Sequence, residues 1–212
     1  MNCCQCQGIE RFFDDKVAAR ELKDYRRKGP GKTTRWLIEA LVAEGVAGKT
    51  LLDIGGGVGA IQHELLQAGA GSATNVDASS AYLNAARQEA ERRGFAEQVS
   101  YHYGNFVELA PEIKPVDIVT LDRVICCYHD MTALVGLSSA RAGELYGVVY
   151  PRATWWMKLG VKIINNVSWL THNPFRIFVH PTPAVEAVIH ANGLKQRFHR
   201  QTLLWQVVVY GR

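Results

Sequence analysis

The run from Leu51 to Gly59 constrains this chain more than any other stretch. Two leucines close an apolar segment, Asp53 follows, and glycines stand at 55, 57 and 59 before helical spacing resumes with Ile61, Leu65 and Leu66. A strand that turns through glycine into a helix brings bare backbone and a helix N-terminus up to its ligand. The run therefore points to a nucleotide-type pocket, and its surroundings must say which nucleotide.

Strand and helix patterns alternate around it. Strands are predicted over 49–54, 73–77, 98–103, 116–121, 145–150, 194–200 and 203–210, and helices over 59–68, 79–93, 130–142, 153–169 and 183–191. Such alternation implies parallel strands with crossover helices, the doubly wound α/β class. The last two strands are separated only by Thr202 and its neighbours, so they read as an antiparallel C-terminal hairpin at a sheet edge. Ahead of the first strand, Phe12, Phe13, Val17, Leu22 and Tyr25 mark one amphipathic helix over 9–27. A second helix, capped by Thr33 or Thr34, runs to about Ala43. The expected organisation is an N-terminal helical lid over 1–45 and a binding domain over 46–212. The segment 153–169, which opens near Trp155, reads as a core-packed crossover helix. Its aromatics and lysines leave a substrate lid or a peripheral membrane contact as other readings.

Bulk properties narrow the classes. With 212 residues, 48% hydrophobic, the chain suits one globular domain. A net charge of +4 allows an anionic small-molecule substrate without demanding nucleic acid. No apolar run approaches the ~20 residues of a transmembrane segment, and the first residues lack a signal-peptide pattern, so a cytoplasmic protein is expected. Cys3 and Cys6 have the spacing of a metal pair, but no second pair completes a zinc site and no metal is expected. Cys126 and Cys127 read as small hydrophobes near the pocket.

Gly55-x-Gly57-x-x-Ala60 also fits a relaxed dinucleotide fingerprint, with Asp77 about 20 residues on, where a ribose-binding acid belongs. That leaves an NAD(P)-dependent oxidoreductase as an alternative. Three features weigh against it. Asp53 would repel a nearby pyrophosphate and suits an ammonium group; two helices precede the first strand; and the terminal hairpin is foreign to a dinucleotide domain.

At this point the chain resembles the class I S-adenosylmethionine-dependent methyltransferases. Residues 53–59 are similar to the family's glycine loop, 74–77 to its second strand ending in an acid, and 104–106 to the segment beside the adenine, where Asn105 stands in place of the commoner Asp. Residues 117–122 resemble its fourth strand, leading to 124–127 at the reaction centre. The resemblance implies a Rossmann-like sheet of seven mostly parallel strands, the last inserted antiparallel between the fifth and sixth. Within the family, 121–128 and the tail through His180 and Pro181 are similar to magnesium-protoporphyrin O-methyltransferases.

The resemblance implies a role for each position. Asp77 would accept both ribose hydroxyls, Asn105 would meet the adenine edge, and Ala78 and Phe106 would flank the base, with Asp122 at the site wall. Gly55, Gly57 and Gly59 would admit the methionine portion, with Asp53 biasing the site toward its ammonium. Turn capping by Asp53 and Asp77, and turn formation by Asn105, are the structural alternatives. Beyond the fourth strand, His129 and then Tyr128 are candidate bases, and Cys127, Arg152 and Trp155 candidate acceptor contacts. Arg176, His172 and His180 fall in the same long connection. The expected reaction is methyl transfer to a small molecule, a carboxylate or hydroxyl on an apolar scaffold. The bland alternative is a cofactor-binding protein without transferase activity. No Asn-Pro-Pro-aromatic motif follows the fourth strand, which argues against nucleic acid as the acceptor.

Overall fold

The computed structural model describes residues 4–170 and 175–212, with nothing said of the side chains of 4–6. Cys3 and His172 therefore lie outside the described residues, and so do the side chains of Cys4 and Cys6. Among the described residues, seven strands form one sheet: β1 (Thr50–Ile54), β2 (Ser72–Asp77), β3 (Val99–Tyr103), β4 (Val116–Asp122), β5 (Ala142–Pro151), β6 (Lys195–Gln201) and β7 (Trp205–Gly211). Their order is β3-β2-β1-β4-β5-β7-β6. The first five pair in parallel, and β7 runs antiparallel to both β5 and β6.

The hairpin is thus inserted, not appended, and its two strands differ for that reason. β7 lies between partners and buries Val207, Val208, Val209 and Tyr210. β6 is the edge, and its sequence, Lys-Gln-Arg-Phe-His-Arg-Gln, keeps it polar.

Helices cover both faces. On one, α3 (Lys32–Ala43), α4 (Ala60–Gln67) and α5 (Ser80–Arg93) pack over the sheet. On the other lie the short α6 (Phe106–Leu109), α7 (Met131–Ala140) and α9 (Thr182–Ala191). α3 is core. Leu37 and Leu41 are fully buried against Leu51, Leu145 and Val207, each worth roughly 1.5–3 kcal/mol over exposure. The expected lid over 1–45 therefore includes a helix that packs in the core.

Three expectations need correction. The single helix over 9–27 is two, α1 (Cys4–Phe12) and α2 (Asp15–Lys28), because the Asp14 carboxylate accepts from the Val17 N–H at 3.0 Å and starts a new helix. Neither Thr33 nor Thr34 caps α3. The cap is Gly31, without a side-chain bond, and both threonines sit buried in the first turn. Finally, the helix after β5, α8 (Trp155–Leu170), has no buried residue. Its apolar pattern resembles a core helix, but it rides on the outside.

α2 is held down by packing and charge. Leu22 and Tyr25 meet Val58, Ala81 and Tyr82. Glu89 of α5, wholly buried, accepts from Arg26 at 2.7 Å, Arg92 at 2.5 Å and Arg93 at 2.9 Å. Burial pushes that carboxyl up, but the three guanidinium groups win and hold it at about 2.

Candidate active site

Strand order reverses between β1 and β4, and in doubly wound sheets the crevice beyond the C-terminal strand ends at such a point receives ligand. β2, β1 and β4 end there on or beside Asp77, Asp53 and Asp122. A cavity of about 820 Å³ opens over these ends. Asp53, Gly55, Gly57, Asp77, Ala78, Asn105, Phe106, Asp122, Cys127 and Tyr128 all line it. Four predicted residues do not. Gly59, His129, Arg152 and Trp155 stand outside its wall.

The three carboxyls differ in their partners. Asp53 is 1% exposed. Its Oδ1 accepts from the Thr120 hydroxyl at 2.7 Å, while Oδ2 has no hydrogen-bond partner. Burial raises its pKa to about 7. Asp77 accepts from the Ser79 N–H at 2.8 Å and the Gly57 N–H at 3.0 Å, so it braces the glycine loop; burial still raises it to about 6. An ionised carboxylate has about four lone-pair sites, so two bonded N–H groups leave room for ribose hydroxyls. Asp122 Oδ2 accepts from the Thr34 hydroxyl at 2.5 Å, with Arg123 Nε 3.3 Å from Oδ1. Burial raises its pKa as well. Such desolvated acids in a cleft mark a place built to receive a positively charged or hydroxyl-rich ligand.

The glycines divide by role. Gly57 has φ +55° and open space where a Cβ would point, so backbone faces the cavity. Gly59 has φ +81°, and a Cβ there would lie 2.6 Å from His63 Cε1. It stands at the turn into α4, outside the cavity wall. Gly55 lines the cavity, with Val124 Cγ2 2.5 Å from its notional Cβ.

Asn105 caps α6. Its Oδ1 accepts from the Val107 N–H at 3.1 Å, and its Nδ2 donates to Glu108 Oε1 and to the Tyr128 hydroxyl, each at 3.1 Å. The amide expected on an adenine edge is engaged within the protein, which fits the turn-forming alternative. Tyr128 is buried by the same contact. His129 is exposed outside the cavity wall, its ring centroid 5.2 Å from that of Tyr128. Arg152 ties the β6–β7 turn, donating to the Thr202 carbonyl at 3.2 Å. Trp155 is 73% exposed.

Other walls were not foreseen. Phe12 stacks on Phe175 at 4.6 Å, and Phe13 meets Phe175 edge-on at 5.6 Å, so α1 closes against the segment after α8. That segment is pinned in turn: Asn165 accepts from the Ile177 N–H at 2.9 Å, and the Phe178 N–H donates to the Cys126 carbonyl at 2.7 Å. Met157, Val161, Ile164 and Ile177 make this end of the cavity apolar. Thr34 and Arg123 also enter the wall. The paired aromatics at 12 and 13 were the one visible signal of these contacts.

Residues 51–140 match the family described as a methyltransferase domain. The chain carries a methyltransferase domain. That stretch runs from β1 through α7 and holds the glycine loop, Asp77 and Asp122. The sheet is that of the Rossmann-like methyltransferase fold. Magnesium protoporphyrin IX methyltransferase from Synechocystis PCC 6803, solved with S-adenosylhomocysteine, is 19% identical with a TM-score of 0.76, over 98% of this chain and 99% of that one. The same enzyme with S-adenosylmethionine gives 17%, 0.71, 98% and 97%. An O-methyltransferase family 2 protein from Planctomyces limnophilus, in complex with apigenin, gives 15%, 0.58, 87% and 62%. At these identities the likeness is one of fold. No curated protein matches the sequence. The dinucleotide alternative falls with the family match.

The residues present fit S-adenosylmethionine as a cofactor. Gly57 leaves backbone open where a ligand would lie, and the orphaned Asp53 Oδ2 is a buried acceptor in want of a cation.

Proposed function

We propose that this chain is an S-adenosylmethionine-dependent methyltransferase that methylates a carboxylate carried on a flat apolar acceptor. One observation carries the reading: the cavity joins an acidic, glycine-lined end to an apolar end, and among the described residues no histidine lines it. A phenol or amine acceptor gains from a base that removes its proton, whereas a carboxylate is already ionised at neutral pH.

S-adenosylmethionine supplies, when bound, a methyl group activated by its sulfonium. Asp53 would pair the ammonium and Asp77 the ribose diol, with Ala78 and Phe106 against the base. The protein's remaining work is alignment and exclusion of water. Tyr128, whose hydroxyl accepts from the Asn105 amide, and Cys127 line the same cavity. Lys28, Arg35 and Arg123 bring positive charge to the wall, which suits an anionic acceptor. Ile9 of α1, Phe13 of the link and Tyr25 of α2 line the same cavity, and this segment would act as its lid.

The Synechocystis enzyme is a magnesium protoporphyrin IX methyltransferase, which makes that compound the first acceptor to try. Transfer from labelled S-adenosylmethionine should proceed with the free acid and fail with its dimethyl ester, whose carboxylates are blocked. Transfer to a flat phenol but to no carboxylate would refute the reading. Tight S-adenosylhomocysteine binding without transfer to any acceptor would favour a binding protein instead.

A further inference from the structure

α8 turns its apolar side outward. Trp155, Leu159, Ile163 and Val167 are 73, 52, 56 and 54% exposed, and their spacing of four residues sets them along one face. Trp169 and Leu170 extend it, at 70 and 67%. The patch continues into the β6–β7 turn, where Leu203 and Leu204 are 68 and 44% exposed. Arg152 joins the two, its backbone N–H donating to the Leu204 carbonyl at 2.9 Å. On its inner side the same helix lines the cavity through Met157, Val161 and Ile164. A contiguous apolar surface at a cavity mouth marks an interaction site.

Charge selects the occupant. α8 carries Lys158 and Lys162 and no acidic residue. From residue 145 to 212 the sequence holds eight lysines and arginines against one acid, Glu186. A two-fold contact between copies through α8 would set lysine against lysine with no carboxylate on the face to answer it. Protein interfaces also deplete lysine. Anionic headgroups above hydrocarbon satisfy both the lysines and the tryptophans. With 16 residues the helix is about 24 Å long, short of the ~30 Å hydrocarbon core, and no helix among the described residues is long and apolar enough to cross a membrane. It can lie on a bilayer but not span one.

We infer that α8, with Leu203 and Leu204, docks the enzyme on an anionic lipid surface, its cavity mouth toward the lipid. If the acceptor reading above holds, an apolar carboxylate dissolved in the bilayer reaches the site without crossing water. The docking itself does not need that reading.

Sedimentation of the full chain with phosphatidylcholine vesicles, with and without phosphatidylglycerol, tests it. The chain should pellet with the anionic vesicles and be released by raised salt. Lys158→Gln with Lys162→Gln should weaken partition about 25-fold, at about fivefold per lysine. Leu159→Glu with Ile163→Glu should abolish it. Neither pair lines the cavity, so calorimetry should find S-adenosylhomocysteine affinity unchanged in both, which separates this test from any failure of the site assignment. The inference is overturned if the wild type ignores anionic vesicles or if the double glutamate variant still pellets. It is equally overturned if α8 instead mediates a dimer that the glutamates dissolve while vesicles bind unaltered.

Discussion

Asp53→Asn should act in opposite directions on stability and on binding. The carboxyl is buried, one oxygen has no partner, and burial raises its pKa from 3.8 to about 7. In the unfolded chain it ionises near 3.8. Between these values the folded state therefore holds more protons than the unfolded one, and stability falls as pH rises. About three units at 1.36 kcal/mol each give up to about 4 kcal/mol lost between pH 4 and pH 8. Asparagine carries no such charge. The variant's stability relative to wild type should thus rise steadily over that interval, by up to about 4 kcal/mol, or roughly 10 °C in Tm for a chain of this size. Urea melts at a series of pH values, without ligand, read this directly. In calorimetry the same variant should bind S-adenosylhomocysteine more weakly by about 1.5–3 kcal/mol, the range for a hydrogen bond to a charged group. A stability difference that stays flat from pH 5 to pH 8 would refute the argument, and unchanged affinity would remove Asp53 from the ammonium site.

Further outcomes follow from neighbouring residues. Asp77→Ala should weaken S-adenosylhomocysteine binding by roughly 1.5–3 kcal/mol; unaltered affinity in a folded variant would sink the ribose assignment. Gly59→Ala, strained at φ +81° and pressed on His63, should lower Tm, whereas Gly57→Ala, facing open space, should chiefly cost cofactor affinity; the reverse pattern would overturn the division of roles. His129→Ala should leave the transfer rate within about twofold, since the ring is exposed outside the cavity, and a loss of 10²-fold or more, the least that general-base catalysis contributes, would restore it as a base. Glu89→Gln should destabilise the fold at neutral pH by uncoupling three arginines from one buried carboxylate, with the deficit against wild type shrinking as pH falls from about 4.5 toward 2, where the wild-type carboxyl itself protonates.

Much of the sheet was legible because strand periodicity and glycine chemistry are local. Each of the seven strands falls where apolar runs and turn residues put it, and the placement of β7 between β5 and β6 came through the family resemblance rather than the pattern. The acidic, glycine-lined end of the cavity was legible for the same reason: Asp53, Gly55, Gly57 and Asp77 lie at or just beyond strand tips whose register follows from the sheet. The apolar end was not. His129 is adjacent in sequence to Tyr128, yet a change of direction after β4 puts Tyr128 inside and His129 outside. The contacts Phe12 to Phe175 and Thr34 to Asp122 join residues far apart in the chain, and no local pattern encodes them.

α8 shows the boundary most clearly. An apolar helix reads the same whether it packs in a core or faces outward, because hydropathy records what a residue would bury, not what is there to bury it. Only the packed sheet, with its faces already covered by α3 to α5 and by α7 and α9, leaves that helix on the surface. The glycine run, by contrast, needs no partner to declare itself: positive φ and backbone exposed to a ligand are properties of the run itself.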